Sequence, residues 1–170
     1  MSSSLPLQLA CLCDLRDARG RVLLLERAKP PNLGLWSPIG GKLDQMSGES
    51  PARCAQREIE EEAGIIVPMN RLHLVGIITE HAFEGKWNMI LFYYRVLGAV
   101  EVAEARIREG RLAWHDASAI EGLSQPETDR RVIWPLVHRA EARGNERPGF
   151  FAVHIDCAGT ELSWTVEEER

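Results

Sequence analysis

Apolar residues recur with a period of two at Leu7, Leu9, Cys11, Cys13 and Leu15, which predicts a half-buried strand with these side chains on one face. Asp17-Ala18-Arg19-Gly20 reads as a turn, and Val22 to Glu26 as a second, nearly all-apolar strand. The pattern then breaks. In AKPPNLGLWSPIGGK the residues Pro30, Pro31, Gly34, Pro38, Gly40 and Gly41 exclude regular structure, with Trp36 and Ile39 anchoring the loop to the body of the protein. A helical period follows. Ser50 suits an N-cap, Pro51 the first helical position and Gly64 a left-handed C-terminal residue. Between them Ala52, Ala55, Ile59 and Ala63 share one core-facing side.

Leu72 to Glu80 and Trp87 to Leu97 predict two strands joined by a loop around Ala82 to Lys86, and a short strand is expected near Arg111 to His115. Pro126 to Arg143 holds a helix that Pro135 must either begin or kink, because proline cannot donate the backbone bond a helix interior needs. The clearest hairpin is the last. Phe151, Val153 and Ile155 alternate with polar or small residues, Cys157-Ala158-Gly159-Thr160 turns the chain, and Leu162, Trp164 and Val166 alternate again. The ending EEER reads as a frayed tail.

Length and composition narrow the classes. A chain of 170 residues with no repeat, linker or low-complexity segment is expected to form one α/β domain, residues 1–170. A net charge of −5 gives no broad attraction to nucleic acid or an anionic membrane. The N-terminus lacks a basic region and a long apolar run, so neither a signal peptide nor a membrane span is expected, and a cytoplasmic setting is the default. Cys11 and Cys13 lack the paired spacing of a zinc site and read as small apolar strand residues. His73, His115, His138 and His154 are scattered and suggest no metal cluster. His81, Phe83 and Trp87 surround a strand-to-strand loop, where an aromatic ring either packs or stacks on a ligand.

One feature resists a purely structural reading. Glu58, Glu61 and Glu62 stand at i, i+3 and i+4, so they share a helix face. Like charges at those spacings cost a few tenths of a kcal/mol each. They also crowd the helix C-terminus, where the helix dipole disfavours anions by roughly 0.3–1 kcal/mol per charge. A solvated acidic face would avoid that end. Oxygen ligands converging from one face suit Mg2+, which completes its shell with water and substrate phosphates. Glu60 points elsewhere and is left to solvent.

The run Arg57-Glu58-Ile59-Glu60-Glu61-Glu62-Ala63-Gly64-Ile65 resembles the second half of the Nudix hydrolase box, R-E-U-x-E-E-x-G-U with U apolar. Glu49 stands where the box has its first glutamate. Six positions earlier, where the pattern has glycine, the chain has Leu43; Gly41 lies eight before, so the loop within Asp44 to Ser47 is two residues longer than the pattern. The resemblance implies a mixed β-sheet sandwiched between helices (α/β/α, an α+β arrangement) and hydrolysis of a nucleoside diphosphate linked to another group. It implies that Glu58, Glu61 and Glu62 hold Mg2+, with Mn2+ as a substitute, aided by the backbone carbonyl of Gly40 or Gly41. Arg57 pairs with Glu49 to hold the face in place, and Lys42 meets a phosphate. The general base is one of the glutamates or a carboxylate from another loop.

The C-terminal half is similar to one branch of that family, the oxidised-purine nucleoside triphosphatases. Arg147-Pro148-Gly149-Phe150-Phe151 and the hairpin ending Leu162-Ser163-Trp164-Thr165-Val166 resemble their closing hairpin. Glu109 precedes Arg111-Leu112-Ala113-Trp114 as their additional carboxylate precedes a tryptophan strand. Pro126-Glu127-Thr128-Asp129 resembles their acidic base-reading loop, although acidic residues there would equally cap a helix N-terminus. Where those enzymes read the base with an asparagine after a loop tryptophan, this chain has Ser37 after Trp36, and the resemblance implies that Trp36 and Ser37 contact the substrate. The expected partner is a small nucleotide, with no nucleic acid polymer and no membrane, in a monomer or homodimer. The competing expectations are a pyrophosphatase of ADP-ribose or another nucleoside diphosphate derivative, and a nucleotide-binding module without catalysis.

Overall fold

The computed structural model describes residues 4–144 and 146–170. Ten strands and two helices follow in the order β1 (Leu7–Asp14), β2 (Val22–Arg27), β3 (Trp36–Ser37), β4 (Ile39–Lys42), α1 (Pro51–Ala63), β5 (Leu72–Phe83), β6 (Trp87–Val96), β7 (Ala105–Ile107), β8 (Gly110–His115), α2 (Trp134–Arg143), β9 (Phe151–Asp156) and β10 (Ser163–Glu169). Six strands form a mixed sheet ordered β10-β9-β5-β6-β1-β4, and four form an antiparallel sheet ordered β3-β2-β8-β7. The parallel pairs are β1 with β6 and β5 with β9.

The strand alternation distributes side chains to two cores. Cys11, Cys13 and Leu15 join Leu23 and Leu25 under α1, which contributes Cys54, Ala55 and Ile59. Ala10 joins Val22, Leu24 and Tyr93 under α2, which contributes Trp134, Leu136, Val137 and Ala140. The helices thus lie in layers on either side of shared strands. The near-continuous apolar run of β2 follows, because a strand buried on both faces has no solvent side. Strand β1 was expected to be half-buried but is covered on both sides around Ala10 to Asp14. The Asp14 carboxylate, fully buried, accepts bonds from Arg16 Nε at 2.7 Å and Arg95 Nε at 2.8 Å. Burial disfavours its charge, yet the two guanidinium groups outweigh that and hold its pKa below the usual carboxylate value. Arg16 and Arg95 also reach Glu141, tying β1 and β6 to α2.

Two expectations need correction, and one strand left no sequence signal. The proline- and glycine-rich loop contains β3 and β4, which are tolerated because both are edge strands, where missing donors and bends do least harm. Strand β7 is too short to leave a periodic signal. The last residues are not frayed: β10 runs through Glu169, whose carboxylate accepts from Arg139 Nε at 2.9 Å and Arg143 Nη2 at 3.0 Å on α2.

Pro135 begins the helix, the first of its two expected placements: it stands in the first turn of α2. Asp129–Ile133 form a π-helical turn leading into α2, and the Trp134 N–H donates to the Asp129 carbonyl. The wider turn takes up one extra residue before the proline. No helix among the described residues is long and apolar enough to cross a membrane.

Candidate active site

Helix α1 has the predicted ends. The Ser50 side chain accepts from the Arg53 N–H, and Gly64 takes the left-handed conformation, φ 70°, donating its N–H to the Glu60 carbonyl. Cys54, Ala55 and Ile59, each fully buried, fix the rotation of the helix about its axis. That rotation carries Glu58 and Glu62 inward against β4, while Glu60 and Glu61 remain exposed. Paired glycines make room for them. A Cβ on Gly41 would fall 2.3–2.6 Å from the Glu58 carboxyl atoms, so a side chain there and this carboxylate cannot coexist. The Gly40 N–H donates to Glu62 Oε2 at 2.9 Å.

Arg57 joins the acidic residues. Its Nε and Nη2 donate to the two oxygens of Glu49, each at 2.9 Å, in the bidentate geometry guanidinium favours. Its Nη1 reaches Glu58 at 2.6 Å and Glu61 at 3.5 Å, and its Nη2 also donates to the Lys42 carbonyl at 3.1 Å. The pairing of Arg57 with Glu49 expected from the sequence is therefore present as an ion pair. The longer loop closes on itself: Asp44 Oδ1 accepts from the Met46 and Ser47 N–H groups, the Glu49 N–H donates to the Asp44 carbonyl, and Met46 projects into solvent. The extra length bulges outward and leaves Lys42 on the cavity wall, with its Nζ 5.1 Å from the Trp87 ring centroid.

Glu58, Glu61 and Glu62 line one cleft with Glu109 from the β7–β8 connection. Burial raises the pKa of Glu58 against the opposing pull of Arg57. Burial likewise pushes Glu62 up to about 7, opposed by the Gly40 N–H and reinforced by the charges of Glu58 and Glu109. Glu49 is held below the usual value, chiefly by its bond to Arg57. Among the described residues no three acidic, cysteine or histidine side chains yet converge as a metal shell. Glu62 is turned to Gly40, and Glu58 and Glu61 to Arg57. The donor set nevertheless fits a hard divalent cation: all ligand atoms are oxygens, two carboxylates are buried at a cost, and the glycine pair leaves space beside them.

The cleft opens into a cavity of about 290 Å³. Strand alternation builds one wall, with Ala10 and Leu12 of β1 beside Met89 and Leu91 of β6, all on the α2 side of the sheet. Ser37, Gly40, Gly41, Lys42, Glu58, Glu62 and Glu109 also line it, as do Thr128 and Asp129 at the π turn. Asp129 is buried, and that burial, reinforced by the nearby charge of Glu80, raises its pKa to about 8.

Two expected site residues lie elsewhere. Trp36 is in the core, 7% exposed, with its ring 4.4 Å from His115 and the Arg111 guanidinium on its other contact at 4.9 Å; its size and apolar character make it an anchor. Glu127 is turned outward to Arg131 at 2.6 Å and borders a separate shallow cleft, because it precedes Asp129 by half a helical turn. Of the loop aromatics, Phe83 lines the cavity, while His81 pairs with Asp156 on the surface. Glu80 escaped the sequence reading altogether. Its signal was a carboxylate two residues after Ile78, in the buried phase of an apolar strand.

The comparisons agree with this architecture. The NUDIX domain family model matches residues 6–139. The chain is 32% identical to the uncharacterized Nudix hydrolase YvcI of Bacillus subtilis over 66% of this chain and 69% of that protein. It is 31% identical to the oxidized purine nucleoside triphosphate hydrolase of Danio rerio over 69% of this chain and 72% of that protein. A 68-residue segment is 44% identical to an octanoyltransferase of Myxococcus xanthus, of which it spans only 17%. Among solved structures, a MutT protein of Bacillus halodurans superimposes with a TM-score of 0.68 at 27% identity, over 94% of this chain and 97% of that one. The capped carboxylate helix, the glycine pair beside it and the matched span lead to one assignment: the chain belongs to the Nudix hydrolase family.

Proposed function

We propose that the chain acts as a single domain and is a Mg2+-dependent pyrophosphohydrolase of a purine nucleoside triphosphate, with an oxidised purine such as 8-oxo-dGTP among its substrates, releasing the monophosphate and pyrophosphate. The observation that carries this reading is one cavity with two separate acidic groups, Glu58, Glu62 and Glu109 beside the glycine pair and Asp129 at the π turn. The first group suits phosphates bridged by cations, and the second suits N–H donors of a base. The similarity to the oxidized purine nucleoside triphosphate hydrolase supports the choice of substrate.

Glu58, Glu61 and Glu62, with the Gly40 carbonyl and Glu109, would hold Mg2+, and Mn2+ would serve in its place. The cation would offset phosphate charge and acidify a bound water. Arg57 keeps Glu58 and Glu49 in place through three hydrogen bonds, two to Glu49 and one to Glu58. Lys42, on the cavity wall, meets a phosphate, and Gly41 admits the Glu58 carboxylate. Asp129 and Ser37 face the base.

A Mg2+-supplemented panel of triphosphates and diphosphate derivatives tests the reading. Pyrophosphate release from purine triphosphates is expected. Two monophosphate products from ADP-ribose or a nucleotide sugar, without triphosphate turnover, would favour the other Nudix chemistry. Glu62→Gln should lower turnover about 100-fold or more, the scale of losing one group that stabilises developing charge.

A further inference from the structure

Glu80 is 4% exposed on β5, at the last pair before the strand leaves register with β6. Glu80 and Asp129 line the same cavity, whose neighbouring wall is the apolar surface of Ala10, Leu12, Met89 and Leu91. The two acids come from different elements, a strand and the π turn. We propose that Glu80 is a second base-reading carboxyl, which with Asp129 takes a purine edge offering two adjacent N–H donors beside a carbonyl, as a 2-amino-6-oxopurine does. This rests on the purine nucleotide reading above and names the base edge that reading left open.

A buried polar group needs a partner, and a buried carboxylate needs several. Among the described residues the Thr128 hydroxyl is the one donor that reaches either acid, and it has a single proton for both. Neither acid has an arginine or lysine among the groups that act on it. Other ionisable groups nearby do not help, since the Cys157 thiol, from the β9–β10 turn, is raised to about 11 by its burial and, secondarily, by the Glu80 charge. Such a pair is costly for a free protein and is therefore a mark of a ligand site. Burial raises Glu80 to about 7 and Asp129 to about 8, so near neutrality the pair carries roughly one proton. One carboxylate then accepts two N–H bonds, and one carboxyl O–H donates to a carbonyl. The Watson–Crick edge of guanine presents that set, an amino N–H, the ring N1–H and O6, in that order.

Binding of dGMP and dIMP, which differ only in the 2-amino group, isolates the claim from hydrolysis. By calorimetric titration in EDTA the wild-type protein should favour dGMP about tenfold or more, the value of one hydrogen bond to a charged group. Glu80→Gln should reduce that preference to about threefold or less while its thermal midpoint stays level or rises, because a buried acid has been removed. A merely structural Glu80 would lower the midpoint and leave the preference intact. If the Gln protein does not fold, Glu80→Leu, matched to the apolar wall, takes its place with the same expectation. The inference is overturned if wild-type protein does not discriminate the two nucleotides or if the variant keeps the wild-type preference. Pyrophosphate release is measured alongside: its absence refutes the triphosphatase reading without touching the binding comparison.

Discussion

The adjacent glycines of β4 should fail in different ways when each is given a methyl group. A Cβ on Gly41 would lie 2.3 Å from Glu58 Oε1, but that atom is the end of a side chain and can swing away. The backbone at Gly41 needs no left-handed conformation, so alanine carries no intrinsic strain there. Displacing Glu58 forfeits its 2.6 Å bond to Arg57, whose side chain is 35% exposed, so the loss is discounted for solvent to about 1 kcal/mol. The lower backbone entropy of alanine in the unfolded chain returns roughly 0.4–1 kcal/mol. Gly41→Ala should thus fold with nearly wild-type stability while a carboxylate of the proposed metal site points the wrong way. Gly40→Ala meets a harder obstacle: its φ is 152°, and the new Cβ would lie 2.1 Å from the Cys11 carbonyl oxygen, part of the β1 backbone. Strain of about 1–3 kcal/mol and the parting of β4 from β1 should together cost about 3 kcal/mol or more. Urea midpoints in EDTA measure the first quantity, and Mn2+ binding followed by water proton relaxation measures the second. For Gly41→Ala we expect a midpoint near wild type and metal affinity about 10–100-fold weaker. Wild-type metal affinity in that variant, or wild-type stability in Gly40→Ala, would refute the reasoning.

Burial holds protons on Glu62, Glu80 and Asp129 at about 7, 7 and 8, all above ordinary carboxylates, so the free folded protein binds protons that the unfolded chain has released. Their stabilising contribution is complete below about pH 4 and disappears as pH rises through the folded values; one such proton implies a loss of about 2 kcal/mol between pH 6.5 and 8, and urea titrations in EDTA showing flat or rising stability there would contradict it. Trp36→Ala should cost roughly 3–5 kcal/mol in unfolding experiments yet leave the substrate KM of the folded fraction within about twofold, because the ring packs in the core.

Much of the local structure was legible because it has local causes. Ser50, Pro51 and Gly64 bound α1 through capping chemistry that acts within a turn, and the crowded glutamates raised the expectation of a metal face because no solvated helix gains from them. What was hidden depends on distant partners. Strands β3 and β4 form where proline and glycine argue against them, since β1 and β2 supply the missing order from the other side of the chain. Trp36 and Ser37 are neighbours, yet one enters the core and the other faces the cavity, a consequence of strand alternation that a loop assignment could not express. Glu127 and Asp129 separate for the helical counterpart of that reason. Glu80 was readable by its phase, but nothing local said that Asp129 would meet it.

The π turn before α2 makes the aim of Asp129 a question of helical phase. Pro135 and the buried Trp134, Leu136 and Val137 lock α2 to its layer, so whatever precedes them is oriented by counting residues back along the helix. The turn holds one residue more than a regular helix would, and Trp134 bonds to Asp129 across it. Deleting a residue between Arg130 and Ile133 would let the bonds return to the ordinary spacing and swing Asp129 by about 100° around the axis. Its carboxyl would leave the cavity, and α1 and its glutamates, on the far side of the shared strands, would not register the change. On the proposed role of Asp129, a chain built this way can alter what it selects by insertion and deletion, a whole residue at a time, without revisiting the carboxylate helix.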